Sequence, residues 1–290
     1  MMDAKLQNLI TRSITGILFV TAMVVCFLKP TAMIFLFTLI TGLTLWEYTG
    51  LVNARLDVNV NRFISTVAGV YFFLAIAGRN SGLIATNGVF VPYLLTIVYL
   101  FISGLYTKSK DPLNDWAYTM LGQMYIALPL SAISILAFRQ PADGSSAPVF
   151  YYLLPLSVFI FLWINDTGAY CSGSLFGKHK LFPRISPAKT WEGSIGGGLL
   201  VLLTAALIGW IEGKSGNLSG LNMLEWMGLG LTVVLAGTWG DLVESLFKRT
   251  LEIKDSGNIL PGHGGMLDRF DSSLMAIPAA VVYLYGLQLF

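Results

Sequence analysis

The chain has 290 residues, 55% of them hydrophobic and only 12% charged, with a formal net charge of +2 and a mean hydropathy of +0.69. Soluble domains carry about 25% charged residues, so the composition excludes an ordinary soluble enzyme and points to an integral membrane protein. The two cysteines, Cys26 and Cys171, sit in or beside apolar segments, which excludes a disulfide framework; neither C-x-x-C nor a zinc spacing occurs.

Nine apolar segments are predicted to span the bilayer: 13–28, 31–51, 63–79, 86–105, 117–138, 149–171, 194–211, 223–240 and 272–290. The expected fold class is an all-α polytopic membrane protein. Residues 1–148 form an N-terminal membrane region of about five spans, and 149–290 a catalytic membrane region of about four. The first segment follows Lys5 and Arg12 but ends in Lys29-Pro30 rather than a small-residue cleavage site, so it reads as an uncleaved span. The segment at 63–79 is short, and 223–240 carries Glu225 near its start. The connections at 29–30, 80–85, 139–148 and 212–222 are short and rich in Gly, Ser, Asn or Pro, whereas 52–62, 106–116, 172–193 and 241–271 carry the charge. No internal repeat is visible, which removes support for an inverted-repeat transporter.

Charge orients this arrangement. Lys5, Arg12, Arg55, Arg62, Lys108, Lys110, Lys178, Lys180, Arg184, Lys189, Lys248, Arg249, Lys254 and Arg269 fall on one side, 14 of the 18 basic residues. Only Lys29, Arg79, Arg139 and Lys214 fall on the other. The imbalance predicts a cytoplasmic N-terminus, an external C-terminus and both long polar loops in the cytoplasm.

Three polar constellations stand out. In the sixth segment, Asn165-Asp166 lies near the cytoplasmic end, with Pro155 upstream. Asp166 is either an interfacial helix end or an acid facing a polar cavity, where it would assist a metal or a cationic partner. The following loop sets Lys178, His179, Lys180, Arg184 and Lys189 against one acid, Glu192. Such a loop could merely obey the positive-inside rule or touch anionic lipid. Ser186-Pro187-Ala188-Lys189-Thr190 argues for more: two hydroxyls and an amine stand around a rigid proline, just before a Gly-rich helix start able to receive phosphate. Gly173 to Lys178 is one residue short of a Walker A loop, and Gly193 to Gly198 is not G-x-G-x-x-G and is not expected to follow a strand. Small residues there suit helix packing instead.

The third constellation is the run from Ser245 to Asp271, with four acids, four bases and one of the two histidines. Asp241, Glu244, Ser245 and Lys248 share one face of a helix continuing out of the membrane. Asp241, Glu244, Asp255, Asp268 and Asp271 are hard oxygen donors suited to Mg²⁺. Lys248, Arg249, Lys254 and Arg269 are candidate phosphate ligands. Acids for a metal mixed with bases for phosphate is the composition that phosphoryl or nucleotidyl transfer requires; interfacial salt bridges are the plainer alternative. Gly262, Gly264 and Gly265 suggest close backbone approach to a ligand. His263 could orient a phosphate, transfer a proton or cap the loop.

The pattern S-x-F-K-R-x-x-x-x-K-D-x-G-x-x-L-P-x-H-G-G-x-x-D-R-x-D at 245–271 resembles the signature of the phosphatidate cytidylyltransferase (CDP-diacylglycerol synthase) family. Asn165 to Tyr170, Gly177-Lys178, Ser186 to Gly193, and Gly240-Asp241 with Glu244-Ser245 are similar to that family too. Together they cover the C-terminal half. The departure is Ala188, where the family's S-P-K-K-T has a second lysine, which puts one positive charge in doubt. The resemblance implies condensation of CTP with phosphatidate to CDP-diacylglycerol and pyrophosphate. It implies a divalent metal, usually Mg²⁺, an optional second cation, and a homodimer of nine-helix subunits in the cell (inner) membrane. No nucleic-acid partner is expected. Residue by residue, Asp241, Asp268 and Asp271 would hold the metal. With them, Lys248, Arg249 and His263 would serve catalysis. Asp166, Lys178, Ser186, Lys189, Thr190, Glu244, Ser245, Lys254, Gly264, Gly265 and Arg269 would bind substrate. Two rivals remain at this point. A CDP-alcohol phosphotransferase would carry D-G-x-x-A-R, which is absent. An ion-coupled transporter would place charge deep in helices of both halves.

Overall fold

The computed structural model describes residues 4–55, 57–139, 147–257, 259 and 264–287. The chain opens with α1 (Ala4–Phe27), α2 (Pro30–Val52) and α3 (Arg62–Asn80). A 3₁₀ turn at Asn87–Phe90 leads into α4 (Val91–Tyr106). Next, α5 (Pro112–Gly122) runs through a π turn at Gln123–Ala127 into α6 (Leu128–Ala137). The sequence sets the starts. Pro30 and Pro112 occupy first helical positions, where the missing N–H has no cost. Asn61 caps α3 by accepting from Ile64 N at 3.1 Å, and Asp111 caps α5 by accepting from Asn114 N at 3.2 Å.

After strands β1 (Phe138–Arg139) and β2 (Val149–Phe150) come α7 (Leu153–Phe176), β3 (Lys180–Phe182), β4 (Ser186–Thr190), α8 (Trp191–Lys214) and α9 (Met223–Thr250). The short α10 (Leu267–Phe270) and α11 (Ser273–Gly286) complete the described chain. β1 pairs antiparallel with β2, Phe138 opposite Phe150. β3 pairs antiparallel with β4, Lys180 opposite Thr190. The apolar stretches are helical, as expected of an all-α membrane protein, and the two ribbons are confined to connections; between α7 and α8, Pro183 and Pro187 disfavour helix and the backbone pairs across a hairpin.

Among the described residues seven helical stretches are long and apolar enough to cross a membrane: Pro30–Val52, Arg62–Asn80, Asn87–Tyr106, Pro112–Ala137, Leu153–Phe176, Trp191–Lys214 and Met223–Thr250. This identifies an integral membrane protein. The other two expected segments fall on α1, whose described apolar part is Ser13–Phe27, and on α11, 14 residues long. α1 as a whole has 24 residues, against the ~20 that a perpendicular span takes.

The chain divides into two compact units, one of 1–152 with 250–270, the other of 153–249 with 271–290. In the first, Phe37 centres the core. Its ring lies 5.6 Å from Phe27, 6.5 Å from Phe73 and 6.4 Å from Phe270, centroid to centroid. Such aromatic pairs add about 0.5–1.5 kcal/mol beyond burial. Gln123, on the π turn, donates to Ser65 O at 2.9 Å. In the second unit α7 and α8 pack through their glycines: a Cβ on Gly197 would stand 2.6 Å from Asn165 O, and one on Gly168 2.9 Å from Gly197 Cα. The Gly-rich start of α8 therefore serves close helix packing, as its small residues suggested.

Candidate active site

In the second unit a cavity of about 400 Å³ opens among α7, β4, α8 and α9. Its lining includes Asn165, Asp166, Tyr170, Lys189, Thr190 and Asp241. Asp166 is thus one of the residues lining this cavity. Asn165 is buried, and its Oδ1 lacks a hydrogen-bond partner. The hairpin delivers Lys189 to this cavity, where its Nζ pairs with Asp241 Oδ2. Thr190 is committed locally: its Oγ1 accepts from Gly193 N at 3.1 Å and caps α8.

The expected helical face on α9 forms. Ser245 Oγ donates to Asp241 Oδ1 at 3.2 Å, and Lys248 Nζ lies 2.6 Å from Glu244 Oε2. Glu244 is fully buried, so the pair lies largely out of water. Arg249 lies in the last turn of this helix, exposed. Asp271 sits in the turn before α11; its own Oδ1 accepts from Ser272 N at 2.5 Å. Burial, then the neighbouring charges of Asp241, Glu244 and Asp166, push the Asp271 carboxyl well above the usual carboxylate range. On the hairpin side, Lys178 N donates to Glu192 Oε2 at 3.1 Å, and His179 Nδ1 lies 2.6 Å from Glu192 Oε1. Ser186 begins β4 opposite Phe182.

The first unit holds the middle of the signature. Asp268 Oδ2 accepts from Ser256 N at 2.8 Å, Ser256 Oγ at 2.9 Å and Gly265 N at 2.8 Å. Lys254 and Asp255 are exposed, as is Arg269. Gly264 has φ +84, and a Cβ there would stand 2.7 Å from Asp268 Oδ2. A Cβ on Gly265 would stand 2.1 Å from Glu47 Oε1. The close approach expected of a ligand at Gly264 and Gly265 is made by the protein's own carboxylates. Gly262 and His263 lie outside the described residues.

Glu47, on α2, was not among the residues singled out by motif. Its carboxylate accepts from Ser256 Oγ, from Met266 N at 2.9 Å and from Leu267 N at 3.0 Å. The signal was present in the sequence: an ionisable residue inside an apolar span is expensive and reports a partner.

Among the described residues no three His, Cys, Asp or Glu side chains converge as a ready metal cage. Asp241, Glu244 and Asp166 place like charge around the Asp271 carboxyl; these four hard oxygen donors are the residues of the second unit that could hold a divalent cation.

Apolar helices around a cavity that combines acids with a lysine define an integral membrane protein with a polar pocket. The chain belongs to the cytidylyltransferase family, whose model matches residues 10–287. It is 33% identical over 239 residues to a phosphatidate cytidylyltransferase of Staphylococcus aureus, covering 79% of this chain and 83% of that one. The same shares apply to the Staphylococcus epidermidis enzyme of that name, at 35% identity. The Haemophilus influenzae phosphatidate cytidylyltransferase is 36% identical over 250 residues, 81% of this chain and 84% of its own.

Proposed function

We infer that this protein transfers the cytidylyl group of CTP to phosphatidate, giving CDP-diacylglycerol and pyrophosphate in phospholipid biosynthesis. The observation that carries the reading is the relatedness to phosphatidate cytidylyltransferases over about four fifths of the chain, with the signature at 245–271 intact.

A phosphate oxygen of phosphatidate attacks the α-phosphorus of CTP. A P–O bond forms there as the bond to the β-phosphate oxygen breaks, and pyrophosphate carries away the electron pair. The nucleophile is already anionic, so the task is to bring two polyanions together. Lys189 is the cation at the cavity, and Asp241 holds its amine in place before substrate enters. Lys248 and Arg249 add positive charge at the end of α9, where the helix dipole favours cations. Ser186 and Ser245 are hydroxyl donors nearby in sequence to these groups, and Asp166 and Tyr170 complete the polar wall. Asp241 and Asp271, with Asp268 from the same signature, are the acids assigned to a divalent cation. Once bound, it would neutralise phosphate charge.

The reading includes nine spans, a cytoplasmic N-terminus and cytoplasmic polar loops in the cell membrane, supported by the 14-to-4 partition of the 18 basic residues. It also includes assembly as a homodimer and no nucleic-acid partner. The test is product formation from labelled CTP by purified protein in lipid, with and without phosphatidate and Mg²⁺. CDP-lipid is expected only when all are present. Absence of CTP turnover under those conditions, or equal turnover with a soluble alcohol acceptor, would defeat the reading.

A further inference from the structure

Glu47 is the one acid on α2, 7% exposed, and its partners lie more than 200 residues away in sequence. It takes up three donors of one segment: Ser256 Oγ, Met266 N and Leu267 N. Asp268 takes up three more of the same segment: Ser256 N, Ser256 Oγ and Gly265 N. Ser256 Oγ touches both carboxylates but carries one proton, which serves one acceptor at a time. The two acids are thereby coupled through a single hydroxyl. The backbone around them is shaped to fit: a Cβ on Gly257 or Gly265 would collide with the Glu47 carboxylate, at 2.6 and 2.1 Å.

We propose that Glu47 is a positioning residue for the reaction. It fixes Ser256 and the backbone of Met266 and Leu267 and, through Ser256, the orientation of the Asp268 carboxylate. Glu47 touches no substrate in this scheme. A carboxylate is required because it only accepts. Oε1 faces Ser256 Oγ and Leu267 N, while Oε2 faces Met266 N. Glutamine at this position keeps the size but turns one of these oxygens into an N–H group. A donor then faces a donor, leaving a buried polar atom unpaired. The inference rests on the assignment of the signature acids to catalysis, and Asp268→Asn in the same assay tests that assignment separately.

The experiment uses the full chain in lipid nanodiscs, with steady-state kinetics on CTP and phosphatidate and hydrogen exchange of the peptide covering 264–270. Glu47→Gln is expected to lower kcat by about 10–100-fold, the scale of a small misplacement of reacting groups, with KM for CTP within about threefold of the parent. Exchange at 264–270 should accelerate by about tenfold or more while α8 is unchanged. Ser256→Ala should reproduce both effects at smaller size. The double variant Glu47→Gln/Ser256→Ala should lose little beyond the worse single change, because the two act as one unit. Normal kcat in folded Glu47→Gln, or accelerated exchange with unchanged turnover, would overturn the proposal, since either makes Glu47 a fold anchor only. Multiplying losses in the double variant would overturn it as well. Should Glu47→Gln fail to fold, Ser256→Ala carries the test: parental kcat and parental exchange in that variant would overturn it. Inactivity of Glu47→Gln alongside an active Asp268→Asn would instead sink the assignment of Asp268 and, with it, the positioning role.

Discussion

Lys248→Met separates the structural from the chemical use of the most buried ion pair on α9. Lys248 Nζ stands 2.6 Å from Glu244 Oε2, with side chains 14% and 0% exposed. Removing the lysine takes the paired cation from a carboxylate that is fully buried, which costs about 3–5 kcal/mol when a buried pair is broken from one side. At about 2–4 °C per kcal/mol for a chain of 150–250 residues, the melting temperature should fall by roughly 6–20 °C. Removing both charges in Glu244→Met/Lys248→Met should restore most of that loss, because an apolar pair of similar volume avoids desolvation altogether. The assay is thermal unfolding in a fixed detergent, followed by turnover of labelled CTP in the variant that stays folded. The double variant should be stable yet impaired, because Lys248 is also assigned to phosphate. Lys248→Met melting within about 2 °C of the parent would refute the energetic reasoning, as would a double variant no more stable than the single one. A stable double variant with normal turnover would remove Lys248 from the reaction.

Asp241→Asn, Asp268→Asn and Asp271→Asn should each lower turnover by about 10²-fold or more, comparable to removing a key electrostatic stabiliser. Asp271→Asn should melt no lower than the parent in metal-free buffer, since it relieves like-charge crowding, and added Mg²⁺ should stabilise it less. Near-normal activity and metal dependence in both Asp268→Asn and Asp271→Asn would defeat the metal assignment. Gly197→Ala, whose Cβ would stand 2.6 Å from Asn165 O, should destabilise by about 1–3 kcal/mol. Gly213→Ala, with nothing within 4 Å on the same helix, should be neutral or stabilising; thermal unfolding compares the two. A single cysteine in 172–193, in a chain lacking Cys26 and Cys171, should react with a membrane-impermeant thiol reagent only from the cytoplasmic face.

Much of this was legible because apolar runs in a bilayer leave the backbone little choice but helix. The segments at 31–51 and 194–211 lie within α2 and α8, and the acid-and-lysine face from Asp241 to Lys248 falls on one continuous helix because its i, i+4 spacing already paired the charges. The hairpin at 180–190 was less legible, since a ribbon of a few pairs has too short an alternation to register. Gly264 and Gly265 announced a close approach correctly but not its partner. A sequence shows that a Cβ is missing without showing what occupies the space. The partners of Glu47 were hidden for a related reason: they lie in the last fifth of the chain, and no local pattern connects positions that distant.

The same separation bears on how the protein is made. α2 is synthesised some 200 residues before Ser256, so the nascent chain carries a carboxylate within an apolar helix long before its donors exist. Until then the carboxylate has to be satisfied by water or headgroups instead. The Glu47 contacts of the N-terminal unit thus form only once the late segment 250–270 has been made. A chain cut short before that segment lacks the three donors that Glu47 engages.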